Sequence, residues 1–557
     1  MDTANSQLDG RWMTEMRNDF DLIVVGGGAT GVGVLLDASS RGLRTALIEA
    51  DDVGSGTSSA SSKLIHGGLR YLENGEVRLV AESLAERAIL SRTASHLVRP
   101  LSFVIPVHSH SRVAGLAKLV ALSAVLYGYD AAGSFRSSSM HRTLSKADTL
   151  ERLPSLKTDG LVGSNLYHDA FADDARLCLS VALTATEHFG ATILTHTKVV
   201  GLTPPSSSGW VEIALESDPS APTIQPSSLR AKMVVLAGGV FNGALSQIAD
   251  THGGIDIVPS KGVHLVVRSE DLPLGSAGAI DVGDGRRIFV VPWGNYSYFG
   301  TTDTPYAGNL ASPDIDRTDV DYLLSAVNRT FSAGLTHSHI TGGWSGLRPL
   351  IRPREDQDGT TAELSRRYEV TNPASWAVVV SGGKLTTYRR MAEVAVDIVC
   401  DRLGQSRTSI TDRVNLVGSI PKGGLGSLLT QVERALTSNS STKVEKDTVV
   451  RLVQRYGSRA VEVAGHLTDQ PDGLDKTPTG DLIGEFRYQI LKEKATTVSD
   501  LVLRRSRIGI LDFDLAESTA ELAKAALLEH SDASSEQLNS QMLSYQKTIS
   551  SLTRWRA

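Results

Sequence analysis

Three observations predict an α/β fold built around a parallel sheet, with a nucleotide-binding strand–turn–helix unit near the amino end. Residues 21–25, Asp-Leu-Ile-Val-Val, form a short apolar run of the kind that makes a buried parallel strand. Gly26, Gly28 and Gly31 follow at G-x-G-x-x-G spacing with Gly27 in the same turn, and Leu35, Leu36 and Ala38 continue as an apolar helical pattern. Residues 44–48 read as the next strand, closed by Glu49. Glycine at these positions permits a tight turn, close backbone approach to a pyrophosphate and close helix–strand packing. The pyrophosphate would rest on free N–H groups at the positive end of the helix. Glu49 is placed to accept from a ribose 2′-hydroxyl and disfavours a 2′-phosphate, so FAD or NAD fits better than NADP.

At 557 residues the chain is long enough for two or more domains with real cores. Its 41% hydrophobic and 21% charged residues are ordinary for a globular protein, and a net charge of −6 gives no whole-chain case for nucleic acid. Cys178 and Cys400 lack metal-ligand or C-x-x-C spacing and read as buried small hydrophobes in a reducing compartment, with no metal set elsewhere. Residues 1–18 are polar, have no secretory apolar region, and are expected to be a flexible extension. No run reaches the roughly 20 apolar residues of a spanning helix, so a cytoplasmic location is expected.

After Glu49, residues 51–62 form a Gly/Ser-rich loop whose hydroxyls and backbone N–H groups suit a polyanionic cofactor. Residues 76–90 have the spacing of an amphipathic helix. Strands are expected at 191–201, 210–217 and 230–237, as a β-meander returning to the parallel sheet, and again at 263–267, 287–292 and 377–381. A helix is expected within 303–333 and another over 387–400. Residues 401–446, rich in Ser, Thr and Gly, read as a linker. The tail, 447–557, reads as a small helical domain with candidate helices at 447–456, 484–495, 499–509 and 517–530, serving as scaffold or homodimer contact.

The run Thr57-Ser-Ser-Ala-Ser-Ser-Lys-Leu-Ile-His-Gly-Gly-Leu-Arg-Tyr-Leu-Glu73 resembles the signature of the FAD-dependent, quinone-linked glycerol-3-phosphate dehydrogenases. The resemblance resumes at Asp173-Asp-Ala-Arg-Leu177, Lys261-Gly-Val-His264, Val291-Pro-Trp293, Gly300-Thr-Thr-Asp303, Ser345-Gly-Leu-Arg-Pro-Leu350 and Gly382-Gly-Lys-Leu-Thr-Thr-Tyr-Arg389. It covers most of residues 19–400. One departure stands out: the family's Ala-Thr-Gly-Pro-Trp is Ala237-Gly-Gly-Val-Phe241 here, without the hydroxyl and the indole. The resemblance implies an α/β, Rossmann-like FAD-binding domain of the glutathione-reductase/D-amino-acid-oxidase type. Interleaved with it over 19–400 would be a mixed β-sheet substrate domain, with the helical domain at the C-terminus. It also implies oxidation of sn-glycerol 3-phosphate to dihydroxyacetone phosphate by hydride transfer to FAD, with electrons passed to a membrane quinone.

Motif matching carries the family's cofactor contacts to Gly26, Gly27, Gly28, Gly31, Glu49, Ser58, Ser59, Lys63, His66, Gly67, Gly238, Gly239, Gly383, Leu385 and Thr386. A phosphorylated substrate needs cations at its far end, and arginine's planar fork meets two phosphate oxygens at once. Arg70 and Arg348 resemble the family's substrate-site arginines, with Arg366 a third and Tyr71 a phenol donor. His264 and Lys384 are the proton-handling candidates, and Lys384 could instead pair with the substrate phosphate. Residues 91–142 carry six Lys/Arg against one acid, and within them residues 113–127 form an apolar helix too short to cross a bilayer. A short apolar helix in a basic neighbourhood can lie in the headgroup region of an anionic leaflet. With the family's peripheral habit, this predicts contact with the inner leaflet of the cytoplasmic membrane.

Overall fold

The computed structural model describes residues 18–73, 75–133, 139–222, 226–250, 256–283, 286–352, 367–438, 444–469, 472–478 and 480–556. The expected extension, 1–18, falls almost wholly outside them. Among the described residues two sheets carry the body of the chain.

In the first sheet, Asp19–Val25 lies between Thr45–Ile48 and Ser228–Leu236, both parallel to it, and Thr192–Leu194 and Ala377–Gly382 extend the parallel core outward. Leu22, Ile23 and Val24 are fully buried, as an apolar run covered on both faces must be. The meander Thr197–Thr203, Val211–Ser217 joins antiparallel to Ser228–Leu236. The helix Ala29–Ser40 packs against Asp174–Phe189 and Tyr388–Arg402.

The second sheet is mixed and holds the long antiparallel pair Asp256–Arg268 and Ile340–Arg352, which sets His264 opposite Trp344 and Ser260 opposite Arg348. Tyr296–Gly300, Arg287–Trp293 and Ala277–Asp281 continue it to Arg99–His108 and Leu161–Phe171.

Two expectations need correction. Residues 401–446 are no linker: Leu425–Thr437 is a helix whose Leu428, Val432 and Leu436 are buried against Leu452, Val453 and Tyr456. Upstream of it, Leu416 and Val417 belong to the core of the nucleotide-binding half, and Arg407 donates to the Arg41 carbonyl at 2.8 Å. The Ser/Thr/Gly composition hides a stripe at i, i+4, i+8. The apolar helix is also longer than residues 113–127. It runs over 21 residues, Arg112–Ala132, long and apolar enough to cross a membrane by length and composition. One face (Gly115, Leu119, Leu126 and Tyr129) is buried on the second sheet, while Val113 is 80% and Val120 70% exposed.

The helical tail is clasped to the body by buried ion pairs. Asp52 takes Arg504 (2.8 Å) and Arg505, Arg176 forks onto Glu493 (2.6 Å), and Arg507 reaches Asp174 (2.9 Å). His196 sits 3.1 Å from Asp500, which also holds Arg504 at 2.6 Å. Burial works against the imidazolium, but the Asp500 carboxylate outweighs it and raises the His196 pKa to about 9. A group raised from 6.5 to about 9 on folding stabilises fully below pH 6.5 and loses that contribution as pH climbs through 9. Subtracting denaturation curves of His196→Gln from wild type should therefore give a gap on the order of 3 kcal/mol near pH 6 that closes by pH 10. A gap independent of pH would show that His196 carries no proton in the clasp.

Candidate functional site

The turn after the first strand is built by close approach. Gly26 has φ +108°, and a Cβ there would lie 2.6 Å from the Ala237 carbonyl oxygen; one on Gly31 would strike the Gly26 oxygen. Both contacts press the helix onto the strand ends. Gly28 caps the helix with no side-chain bond of its own, and Ser58 from the Ser-rich loop accepts the Ala29 N–H at 2.8 Å. Glu49 reaches back from the second strand, accepting from Gly27 N–H at 2.5 Å and Asp51 N–H at 2.9 Å; burial pushes its carboxyl up against those bonds. A nucleotide diphosphate fits this cradle: a Cβ on Gly28 would meet only the Ser58 hydroxyl, at 3.0 Å, so the space before the helix is bounded by backbone and hydroxyl.

Where the two sheets meet, a cavity of about 150 Å³ draws its walls from five distant motifs. Ser61, Ser62, His66 and Tyr71 come from the loop, and His264 from the Lys261-Gly-Val-His264 strand. Thr301 and Arg348 enter from the mixed sheet, and Gly383, Lys384, Leu385 and Thr386 from the last motif. Arg348 is held in plane: one nitrogen donates to Thr301 Oγ1 (2.8 Å) and the Thr302 carbonyl (3.1 Å), the other to Asp303 (3.3 Å) and Ser260 Oγ (3.4 Å). The Lys384 ammonium lies 3.8 Å above the Tyr71 ring, so Tyr71 supports a cation. His264 is buried and stacked on Trp344, its Nε2 2.9 Å from Ser62 Oγ. Burial, then the cations Lys63 and Arg348, hold its pKa well below the usual value and keep the imidazole neutral.

Other expected residues sit differently. Lys63 is fully buried and turned away from the cradle; its ammonium binds Asp174 (3.0 Å) and the Ser59 carbonyl (3.1 Å). Burial beside Arg507 lowers its pKa to about 8. A cation in a Ser-rich loop reads as an anion ligand, and here the anion is a carboxylate. Ser59 serves through its carbonyl, which also accepts from Arg507 at 2.8 Å. Gly67 gives its N–H to the Tyr129 hydroxyl (2.8 Å), itself bonded to Asp169 (2.9 Å). His66 is tied through its own N–H to Thr386 Oγ1 at 3.1 Å. Gly238 and Gly239 border the Gly26 turn, where Gly238 N–H donates to Asn242 Oδ1 (2.7 Å) and Asn242 donates to the Val380 carbonyl (2.7 Å). Phe241, in the place of the family's indole, is 40% exposed. Arg70 lies in the short helix Leu69–Glu73; its side chain and the whole of Arg366 fall outside the described residues.

Sequence reasoning missed Ser62, Asp174, Asp303 and Arg507. The first three lie inside quoted motifs, so the signal was present, but the partner of each comes from a remote segment. Arg507 had no local signal.

Residues 21–389 match the FAD dependent oxidoreductase family, and residues 409–537 match the C-terminal domain of alpha-glycerophosphate oxidase. A glycerol-3-phosphate dehydrogenase of Mycobacterium leprae is 36% identical over 90% of this chain and 83% of its own length. An aerobic glycerol-3-phosphate dehydrogenase of Bacillus subtilis is 34% identical over 91% of this chain and 90% of its own. The crystal structure of a glycerol-3-phosphate dehydrogenase from Bacillus halodurans complexed with FAD superposes with TM-score 0.78 at 29% identity, covering 96% of this chain and 95% of that one. The cradle and the comparisons agree: this chain binds FAD and belongs to the FAD-dependent glycerol-3-phosphate dehydrogenase family.

Proposed function

We propose that the enzyme oxidises the secondary hydroxyl of sn-glycerol 3-phosphate to give dihydroxyacetone phosphate, and passes the electrons to a quinone from the inner leaflet of the cytoplasmic membrane. The observation that carries this reading is the convergence of Arg348, Lys384 and His264 on one cavity beside the motif 383–386. Bound FAD supplies a two-electron acceptor for a hydride. Arg348, its plane set by Asp303, Ser260 and Thr301, presents a fork to the phosphate. Lys384, steadied over Tyr71, adds a second positive charge. Binding energy at the phosphate holds C2 in place for the reaction. Neutral His264 receives the hydroxyl proton.

The helix Arg112–Ala132 supports the membrane route. Its buried face fixes it to the body, so an outward face of Val113, Leu116, Val120 and Tyr127 beside Arg112 and Lys118 is suited to lie flat among anionic headgroups. Tyr129 on the same helix bonds Gly67 of the loop that borders the cavity.

Arg348→Ala should raise KM for the phosphorylated substrate and lower kcat, together of order 2–5 kcal/mol in kcat/KM. Steady-state kinetics unchanged by the substitution would remove Arg348 from the site. Gly28→Val should purify colourless with native far-UV dichroism, because its methyls enter the pyrophosphate space and displace Ser58; a fully loaded yellow variant contradicts the cradle. Val113→Asp/Val120→Asp should abolish co-sedimentation with phosphatidylglycerol vesicles and spare flavin reduction. Wild type should reduce a soluble quinone analogue with little peroxide. Stoichiometric peroxide would make it an oxidase instead.

A further inference from the structure

The two ring nitrogens of His264 have different surroundings. Its Nε2 faces Ser62 Oγ at 2.9 Å, whereas Nδ1 is buried and has no hydrogen-bond partner among the described residues. The ring is clamped against exchanging the two: Trp344 stacks on it at 4.9 Å, 14° from parallel, and Tyr298 abuts it edge-on at 6.1 Å. Ser62 is fixed as firmly. Its carbonyl accepts the Tyr298 hydroxyl at 2.8 Å. Its neighbour Ser61 gives both N–H (3.0 Å) and hydroxyl (2.7 Å) to Asp174, and accepts the Trp344 indole N–H at 3.0 Å. Both Ser62 and His264 line the cavity. A hydroxyl bound in the cavity can therefore reach the imidazole nitrogen through the serine oxygen as well as directly.

We infer that Ser62 is a proton-relay residue of the alcohol oxidation, standing between the substrate's C2 hydroxyl and His264; this rests on the cavity being the glycerol 3-phosphate site. The substrate O–H bond breaks and its proton passes to Ser62 Oγ, while the proton that Ser62 carried moves to His264 Nε2. The hydrogen on C2 leaves with its electron pair to the flavin. Carbon loses two electrons and the flavin gains two; the serine ends as it began and the ring ends as imidazolium. The charged groups near the ring are Lys63, backed by Asp174, and Arg348, backed by Asp303. A phosphate monoester bound at Arg348 offsets that cation when the ring gains its charge.

The test compares wild type, Ser62→Ala and Ser62→Thr holoenzymes by anaerobic single-turnover bleaching of the flavin with sn-glycerol 3-phosphate, in mixtures of H₂O and D₂O. General acid–base steps contribute about 10²–10⁴-fold, so Ser62→Ala should bleach about 10²-fold more slowly. Its flavin content and half-saturating substrate concentration should stay close to wild type. The plot of rate against deuterium fraction, curved in wild type because two protons move together, should become linear. Ser62→Thr, which keeps the hydroxyl, should restore the rate and the curvature. A Ser62→Ala enzyme with wild-type rate and curvature overturns the relay. So does a loss that Ser62→Thr fails to restore, or one that comes with lost flavin, since either marks a packing role. Failure of the wild type to bleach would instead overturn the substrate reading beneath the proposal.

Discussion

The buried carboxylate of Asp174 is the constraint on which the site depends. Its side chain is inaccessible to solvent and binds Lys63, Arg507 and both donors of Ser61. Removing one partner from such a cluster leaves an uncompensated charge in a low-dielectric interior, a change of about 3–5 kcal/mol for buried pairs. Asp174 opens the helix Asp174–Phe189, Lys63 and Ser61 belong to the cofactor loop, and Arg507 comes from the tail. Three segments remote in sequence thus share one anion. Arg507 tolerates φ +68° because its guanidinium is fixed by Asp174 and by the Ser59 and Leu503 carbonyls.

The tail then reads as part of the catalytic body. Glu49 ends the second strand at the glycine turn, and two and three residues on, Asp51 and Asp52 turn to Arg504 and Arg505. The same short stretch of chain therefore borders the nucleotide cradle on one side and carries the tail's arginines on the other. A loop made largely of serine and glycine has little apolar surface with which to hold a shape. Here its shape comes from charges on its two flanks, and the hydroxyls of Ser58 and Ser62 are left to face the helix end and the imidazole.

The parts of this fold that could be read in advance are those where local pattern and tertiary role coincide. Residues 22–25, 46–48 and 377–380 are continuous apolar runs because both faces of a parallel strand are covered. Arg99–His108 and Leu161–Phe171 were not recognisable. Ser164, Asn165 and Asp169 interrupt the pattern of Leu161–Phe171, and each is buried with a distant group satisfying it: Thr149 for Ser164, the Leu119 carbonyl for Asn165, Arg87 and Tyr129 for Asp169. The site divides the same way. Arg348, Lys384, Tyr71 and His264 stood in motifs and do meet at one cavity, while the Lys63 ammonium is taken by an anion 111 residues further along the chain.

That pairing also bears on how a cavity lined by Arg348 and Lys384, with Lys63 acting on His264 from outside the lining, would hold the proposed base. Lys63 is matched by Asp174 and Arg348 by Asp303, so each cation is partly neutralised before any ligand arrives; burial is the main cause of the low proton affinity of His264, and the residual field of the two cations adds to it. An anion placed on Arg348 relieves part of that field. Phosphate binding at one end of the substrate and proton acceptance at the other are then linked by ordinary electrostatics across a few ångströms, in an interior where water does little to screen them. In the proposed substrate pose the phosphate would do more than anchor the molecule: its charge would offset the Arg348 share of the field on the imidazole, while the larger effect of burial stays in place.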